Sequence, residues 1–262
     1  MDYQIPIERI DTGSNTIIQK FRDDFLRIKS MGWIQSNRSH NTGIGKTFED
    51  VIGVKENNAQ YVDYMDFLEL KSQRDYTGSK LTLFTKSPDY PPNANTILRE
   101  TYGVPSEKHP EHKILHTTAS GEKFNSFKEN MGFKLSVDEK RGKIFLLIKN
   151  LKQDQIIENN VFYDFDTVKK IVESKCKNIA YINAETKIVN SIEYFKYVGA
   201  VLLTGCTFSR FIDVVKKGIV VYDIRIGVYN TGKNLGKTHD HGSGFRISKR
   251  NIEKLFTITN IS

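Results

Sequence analysis

The chain has 262 residues, enough to bury a sizeable core as one large domain or two lobes. Its 38% hydrophobic and 27% charged residues are the balance of a soluble globular protein, and two cysteines are too few for a disulfide framework or a zinc site. Formal net charge is +8, and from Val201 onward ten Lys/Arg face four acids, a segment that suits a polyanion such as nucleic acid as readily as it makes a lysine-rich surface.

The opening MDYQIPIERIDTGS carries charge too early for a signal peptide. No apolar stretch approaches the roughly 20 residues that cross a bilayer, so a cytoplasmic setting with Cys176 and Cys206 reduced in the core is expected. In chain order, SNTIIQKFRDDFLRIKSMG (14–32) has apolar residues at helical spacing, and GKTFEDVIG (45–53) reads as a shorter helix closed by Gly53. Strand-like runs follow in QYVDY, DFLELKS and KLTLFTK. Residues 87–110 hold five of the six prolines and read as a long loop. FKLSVDEKRGKIFLLIK (133–149) reads as a hairpin turning at Arg141-Gly142. YDFDTVKKIVESK and FSRFIDVVKKG have the pattern of amphipathic helices, GIVVYDIRIGVY that of a long strand, and SKRNIEKLF that of a closing helix. Interleaved strands and helices predict an α/β or α+β fold around a central mixed sheet. Trp33 is expected in the core, and Tyr222 and Tyr229 beside the basic strand are candidates to pack on sugar or base.

The segment DYMDFLELKSQR (63–74) places charge inside an apolar run. Alternation along a strand puts Glu69 and Lys71 on one face and Leu68 and Leu70 on the packed face. Asp63 reaches the same spot from the preceding strand if Met65-Asp66 makes the turn, and Asp66, out of phase with Glu69, is the weaker candidate. Two carboxylates suit Mg²⁺, which keeps several waters and binds substrate phosphate. Such an ion acidifies a water and offsets charge on a leaving oxygen, while Lys71 orients the attacking water or stabilises the transition state. The plain alternative is an exposed hairpin edge with an ordinary ion pair. Two neighbours raise the metal reading: the 45–53 helix, which brings Glu49, and the strand LTLFTKSP, which offers Thr82, Thr85 and Lys86 to a phosphate backbone.

GIGKTFEDVIG, then VDY and FLELKSQR, then LTLFT, in that order, resembles the MvaI/BcnI group of restriction endonucleases, in the MutH-like branch of the PD-(D/E)XK nucleases. YDIRIGVY followed by HDHGSGFRI is similar to that group's DNA-reading segment, whereas the middle, about 90 to 200, carries hardly any likeness. The resemblance implies a restriction-endonuclease-like core and Asp63, Glu69 and Lys71 as the catalytic set, with Asp63 and Glu69 holding Mg²⁺ and Glu49 assisting from the helix. It implies Asp223, Arg225 and Arg246 at base-contacting positions. The motif proline before the first acid is absent, Val62 standing there.

The base-reading assignment has a physical argument of its own. Arginine can donate two hydrogen bonds to guanine, and aspartate can accept from cytosine N4, so a D-x-R pair on one strand face can address one G·C pair. Arg246 follows HGSG, read as a flexible loop whose glycines permit close approach to DNA. His241, with His239, is a candidate for base or phosphate contact, although solvated loop histidines remain the simpler reading. GIGKT lacks the first glycine of a P-loop, since His40 stands there, and no nucleotide-triphosphate site is expected.

The expected function is a Mg²⁺-dependent type II restriction endonuclease of double-stranded DNA, and the resemblance implies a short CC-N-GG-like site and 5′-phosphate ends. The resemblance implies a monomer, with a cognate DNA methyltransferase in the same system but no stable complex with it. A catalytic lobe over 1–150 and a DNA-reading lobe over 151–262 would suit the charge asymmetry. A MutH-like nicking enzyme of mismatch repair and a non-cleaving DNA-binding protein are the alternatives.

Overall fold

The computed structural model describes residues 12–38, 42–54, 62–75, 78–107 and 109–261. The chain folds into two compact units, each assembled from separated stretches: 1–77, 178–204 and 257–262 in the first, 78–177 and 205–256 in the second. The units do not follow a linear cut at 150, because residues 178–204 return to the first unit and 78–150 belong to the second.

The first unit contains helices α1 (Thr12–Ser30) and α2 (Gly43–Ile52). Its strands are β1 (Ile34–Gln35), β2 (Glu69–Arg74), β9 (Asn178–Val189), β10 (Ile192–Thr204) and β14 (Thr257–Asn260). The sheet runs β1-β10-β9-β2, with β14 on the free length of β10. Strand β2 lies parallel to β9, Glu69 opposite Ile179 and Arg74 opposite Ala184; all other pairings in the sheet are antiparallel. Phe21, Phe25 and Ile28 of α1, at helical spacing, meet Ile44 and Phe48 of α2 and the inner residues of β9 and β10 in one buried cluster. Gly53 closes α2 at φ 89°, its N–H and that of Val54 donating to the Glu49 carbonyl, as the sequence predicts.

The second unit carries β3 (Leu81–Thr85), α3 (Ala94–Tyr102), β4 (Val104–Pro105), β5 (Lys113–Ala119), β6 (Met131–Asp138), β7 (Lys143–Asn150), β8 (Gln155–Asp164) and α4 (Phe165–Lys175). After the second crossing come α5 (Phe208–Lys216), β11 (Val220–Val228), β12 (Thr238–Asp240) and β13 (Gly244–Ile247). One sheet has the order β3-β13-β11-β5-β4 with β12 also on β11, and β6-β7-β8 form a second. Phe84, Phe211, Phe245, Tyr163 and Tyr222 pack ring to ring between these layers, with centroids 5.1–5.6 Å apart.

Several expectations are revised. The proline-rich stretch contains helix α3, because Pro88, Pro91 and Pro92 precede it and Pro105 and Pro110 follow; prolines at both flanks left the helical interior intact. SKRNIEKLF forms one 3₁₀ segment, Lys249–Lys254, in place of the expected closing helix, and strand β14 follows it. The strand expected in QYVDY falls partly outside the described residues; Tyr64 retains only a bridge to Leu68. Trp33 keeps 38% of its surface and lies under the Lys187 ammonium at 4.4 Å, so it is not a core residue. Tyr222 is buried at 1% and is unable to reach a ligand. Both cysteines are free and buried.

Candidate active site and nucleic-acid interface

The charged segment folds as its alternation dictates. Leu68 and Leu70 enter the core, and Glu69 and Lys71 share the other face, with Lys71 Nζ 2.6 Å from Glu69 Oε1. Glu69 is 2% exposed, which rules out a surface ion pair on a hairpin edge. Met65 and Asp66 both take φ near +50°, and the Phe67 N–H donates to the Tyr64 carbonyl at 3.1 Å, a tight reversal of the I′ kind. That turn carries Asp63 back alongside β2, where its Oδ2 accepts the Leu70 N–H at 2.9 Å. Asp66 stays exposed at the tip of the turn. Glu49 is half-buried on the last turns of α2, which packs against β2. Its charge helps to push the Tyr197 phenol upward, after burial, and Tyr197 Oη donates to the Ile44 carbonyl at 2.8 Å. Lys46 pairs with Asp50 at 2.7 Å, one helical turn away.

The donor set at this site is carboxylate oxygen beside one lysine, the hard chemistry that Mg²⁺ takes. Among the described residues no group of three or more His, Cys, Asp or Glu has metal-holding geometry. A divalent ion here would thus rest on one or two carboxylates, with water and substrate completing the shell, as Mg²⁺ commonly binds.

The second constellation lies on the outer face of the five-strand path in the other unit. Tyr222, Ile224 and Ile226 of β11 point inward, and Asp223 and Arg225 outward. Arg225 Nε donates to Asp223 Oδ2 at 2.7 Å, and Arg246 Nε lies 3.2 Å from the same oxygen without hydrogen-bond alignment. Asp223 Oδ1 accepts from Thr118 on β5 at 2.8 Å. Arg246 is also anchored by Thr82 Oγ1 at 2.7 Å and the Gly242 carbonyl at 2.8 Å. One aspartate is therefore the shared counter-charge of two arginines, one exposed and one buried.

This sheet corrects the placement of LTLFT. Strand β3 pairs with β13, not with β2, so Thr82, Thr85 and Lys86 lie in the sheet that carries the arginine cluster. The side chain of Thr85 is exposed, and Lys86 is drawn to Asp89 at 2.7 Å. The glycine loop is also not the loose element expected. Asp240 Oδ1 accepts the N–H groups of Gly242 and Ser243, and Ser243 Oγ accepts the Arg225 N–H. A Cβ on Gly244 would stand 2.4 Å from the Phe84 carbonyl, so this glycine serves the close approach of β3.

Three histidines edge the same face and were only partly anticipated. His116 on β5 stands opposite Arg225, its ring 6.5 Å from that of His241; His239 stacks on Tyr229 at 4.0 Å. Burial, then Arg225, lowers the His116 pKa; burial, then His239 and His116, lowers that of His241. The signal for His116 was the alternation in KILHTTA, which is legible only once β5 is paired with β11.

The match to known proteins follows these elements. The family model of the MvaI/BcnI restriction endonucleases covers residues 20–256. The chain belongs to this family. A solved complex of restriction endonuclease MvaI with its cognate DNA substrate is 38% identical, covering 94% of this chain and 98% of that one, with a TM-score of 0.85. MvaI in the absence of DNA is 37% identical over the same shares, with a TM-score of 0.60. No curated protein matches. Family membership makes the chain a nuclease that cleaves DNA, built on the mixed α+β fold that the sequence predicts.

Proposed function

We propose that the protein is a type II restriction endonuclease that hydrolyses double-stranded DNA with Mg²⁺ at a short, CC-N-GG-like site. The observation that carries the reading is the buried Glu69 carboxylate held 2.6 Å from Lys71, with Asp63 folded back beside it. Likeness to the DNA-bound MvaI structure supports duplex DNA as the partner.

In this mechanism Asp63 and Glu69 would hold the metal, and Glu49 would assist from α2. The bound ion would supply an acidified water and charge neutralisation at the phosphate. Lys71 positions the attacking water and donates to the phosphate oxygen as charge develops, while its pairing with Glu69 fixes where the ammonium sits. In-line attack releases the 3′-oxygen and leaves a 5′-phosphate. Recognition falls to the second unit: Arg225 and Arg246 donate to guanine edges, Asp223 sits between the two guanidiniums as their counter-charge and accepts from cytosine, and His241, Thr82, Thr85 and Lys86 contact flanking groups.

The deciding experiment is a digest of supercoiled plasmid and of phage DNA with Mg²⁺ or with chelator. Discrete linear fragments sharing one end sequence, formed only with Mg²⁺, are expected. Nicked circles as the sole end product would point to a repair-type nickase, and plasmid left equally uncut by wild type and Lys71→Ala in Mg²⁺ would leave only a DNA-binding protein.

A further inference from the structure

We propose that the outer face of the β6-β7-β8 sheet is a second, sequence-independent DNA contact that grips duplex phosphates flanking the recognition site. The inference rests on the DNA-cleaving reading above and extends it to a surface outside the arginine cluster. Residues 121–153 hold eight basic against four acidic side chains. Strand alternation sorts them: Ile144, Leu146 and Ile148 are buried, while Lys143 and Lys149 of β7 and Lys134 of β6 face outward.

These lysines are held in place by rings. The ammoniums of Lys134 and Lys149 lie 5.8 and 5.5 Å from the centre of the single Phe124 ring. Lys143 lies 3.4 Å from the centre of Phe162, which stacks on Tyr90 at 5.2 Å and 11°. Packing a lysine stem on an aromatic face removes conformational freedom before any ligand arrives. Two like charges converging on one ring repel each other, and a bound anion relieves that repulsion. Acids are also near: Asp138 and Asp164 stand directly across from Lys143 in the register, and Asp154, its side chain 86% exposed and so easily displaced, meets Lys149. Lys143 and Lys149, six residues apart on one strand, are separated by roughly 20 Å, a span of about six base pairs along a duplex.

Continuity with the arginine cluster selects DNA as the occupant. Ser120 bridges Lys134 in parallel, so the two share a face. Ser120 in turn follows Thr118, which holds Asp223, at a two-residue strand interval. The lysine face therefore extends the side of the sheet that carries Arg225, turned by strand twist.

The test compares wild type with the Lys134→Gln/Lys143→Gln/Lys149→Gln variant, in chelator, by fluorescence anisotropy across a salt series. Probes are a duplex lacking any CC-N-GG-like site and a single strand of equal length. Each phosphate interaction removed lowers the slope of log affinity against log salt by about 0.9, so a fall of about 2–3 is expected on the duplex. With Mg²⁺, the variant should lose kcat/KM on plasmid at moderate salt and keep kcat at saturation, its thermal unfolding unchanged. Equal slopes in a folded variant, or a loss confined to the single strand, would overturn the proposal. A wild type that binds no duplex would instead sink the reading on which it rests.

Discussion

Replacing Lys71 by methionine separates two consequences of one ion pair. The side chain keeps 27% of its surface, whereas its partner Glu69 is buried at 2%. Removing one member of a fully buried pair costs roughly 3–5 kcal/mol, because the remaining charge is stranded away from water. Here water reaches the pair through the lysine side, and screening reduces the figure to about 2 kcal/mol. For a chain of this size that is a fall in Tm of about 4–8 °C. Loss of a donor aimed at developing charge lowers the cleavage rate by a factor on the order of 10²–10³. The Lys71→Met/Glu69→Gln double variant, with neither charge present, should regain more than half of the lost stability and none of the activity. Thermal melts and single-turnover cleavage of a plasmid give both numbers. A folded Lys71→Met protein that cleaves within about tenfold of wild type would refute the catalytic placement, and a double variant no more stable than the single would refute the stranded-charge argument.

Asp223→Asn should loosen both Arg225 and Arg246, lowering cleavage at the cognate site by more than tenfold, on the order of 1–3 kcal/mol for each bidentate base interaction removed, and raising the share of cuts at sites with one altered G·C pair; fragment-end sequencing reads the ratio. Gly244→Ala forces a Cβ into the Phe84 carbonyl, and a loss of roughly 1–3 kcal/mol in urea unfolding is expected, with weaker DNA binding because the Thr82–Arg246 hydrogen bond sits in the same strand pair. For pH, burial and neighbouring positive charge hold His116 and His241 below 6.5 in the folded protein. The unfolded chain then binds more protons in the window just below that value, so stability rises with pH there and is lost as pH falls through it. A His116→Gln/His241→Asn variant should show a flatter urea midpoint between about pH 7.5 and 5; an unchanged slope would show that the crowding is not felt.

What the sequence determined by itself was local. Period-2 alternation placed Glu69 and Lys71 together, and Asp223 with Arg225, because side chains two apart on a strand share a face whatever the strand pairs with. Met65-Asp66 as a turn and Gly53 as a helix stop followed from the same short-range rules. Family kinship was legible too, because the motif-bearing segments keep their order along the chain. What the tertiary structure alone decided was partnership. The sequence put LTLFT beside the acidic segment because they are neighbours in the chain, yet β3 hydrogen-bonds with β13, far along the chain. The long β9-β10 hairpin, which had no motif to announce it, supplies the parallel partner of β2. Strand pairing is a long-range choice made by which apolar faces can be buried together, and the sequence pattern of one strand does not name its neighbour. For the same reason His116 gained its meaning only when β5 was laid against β11.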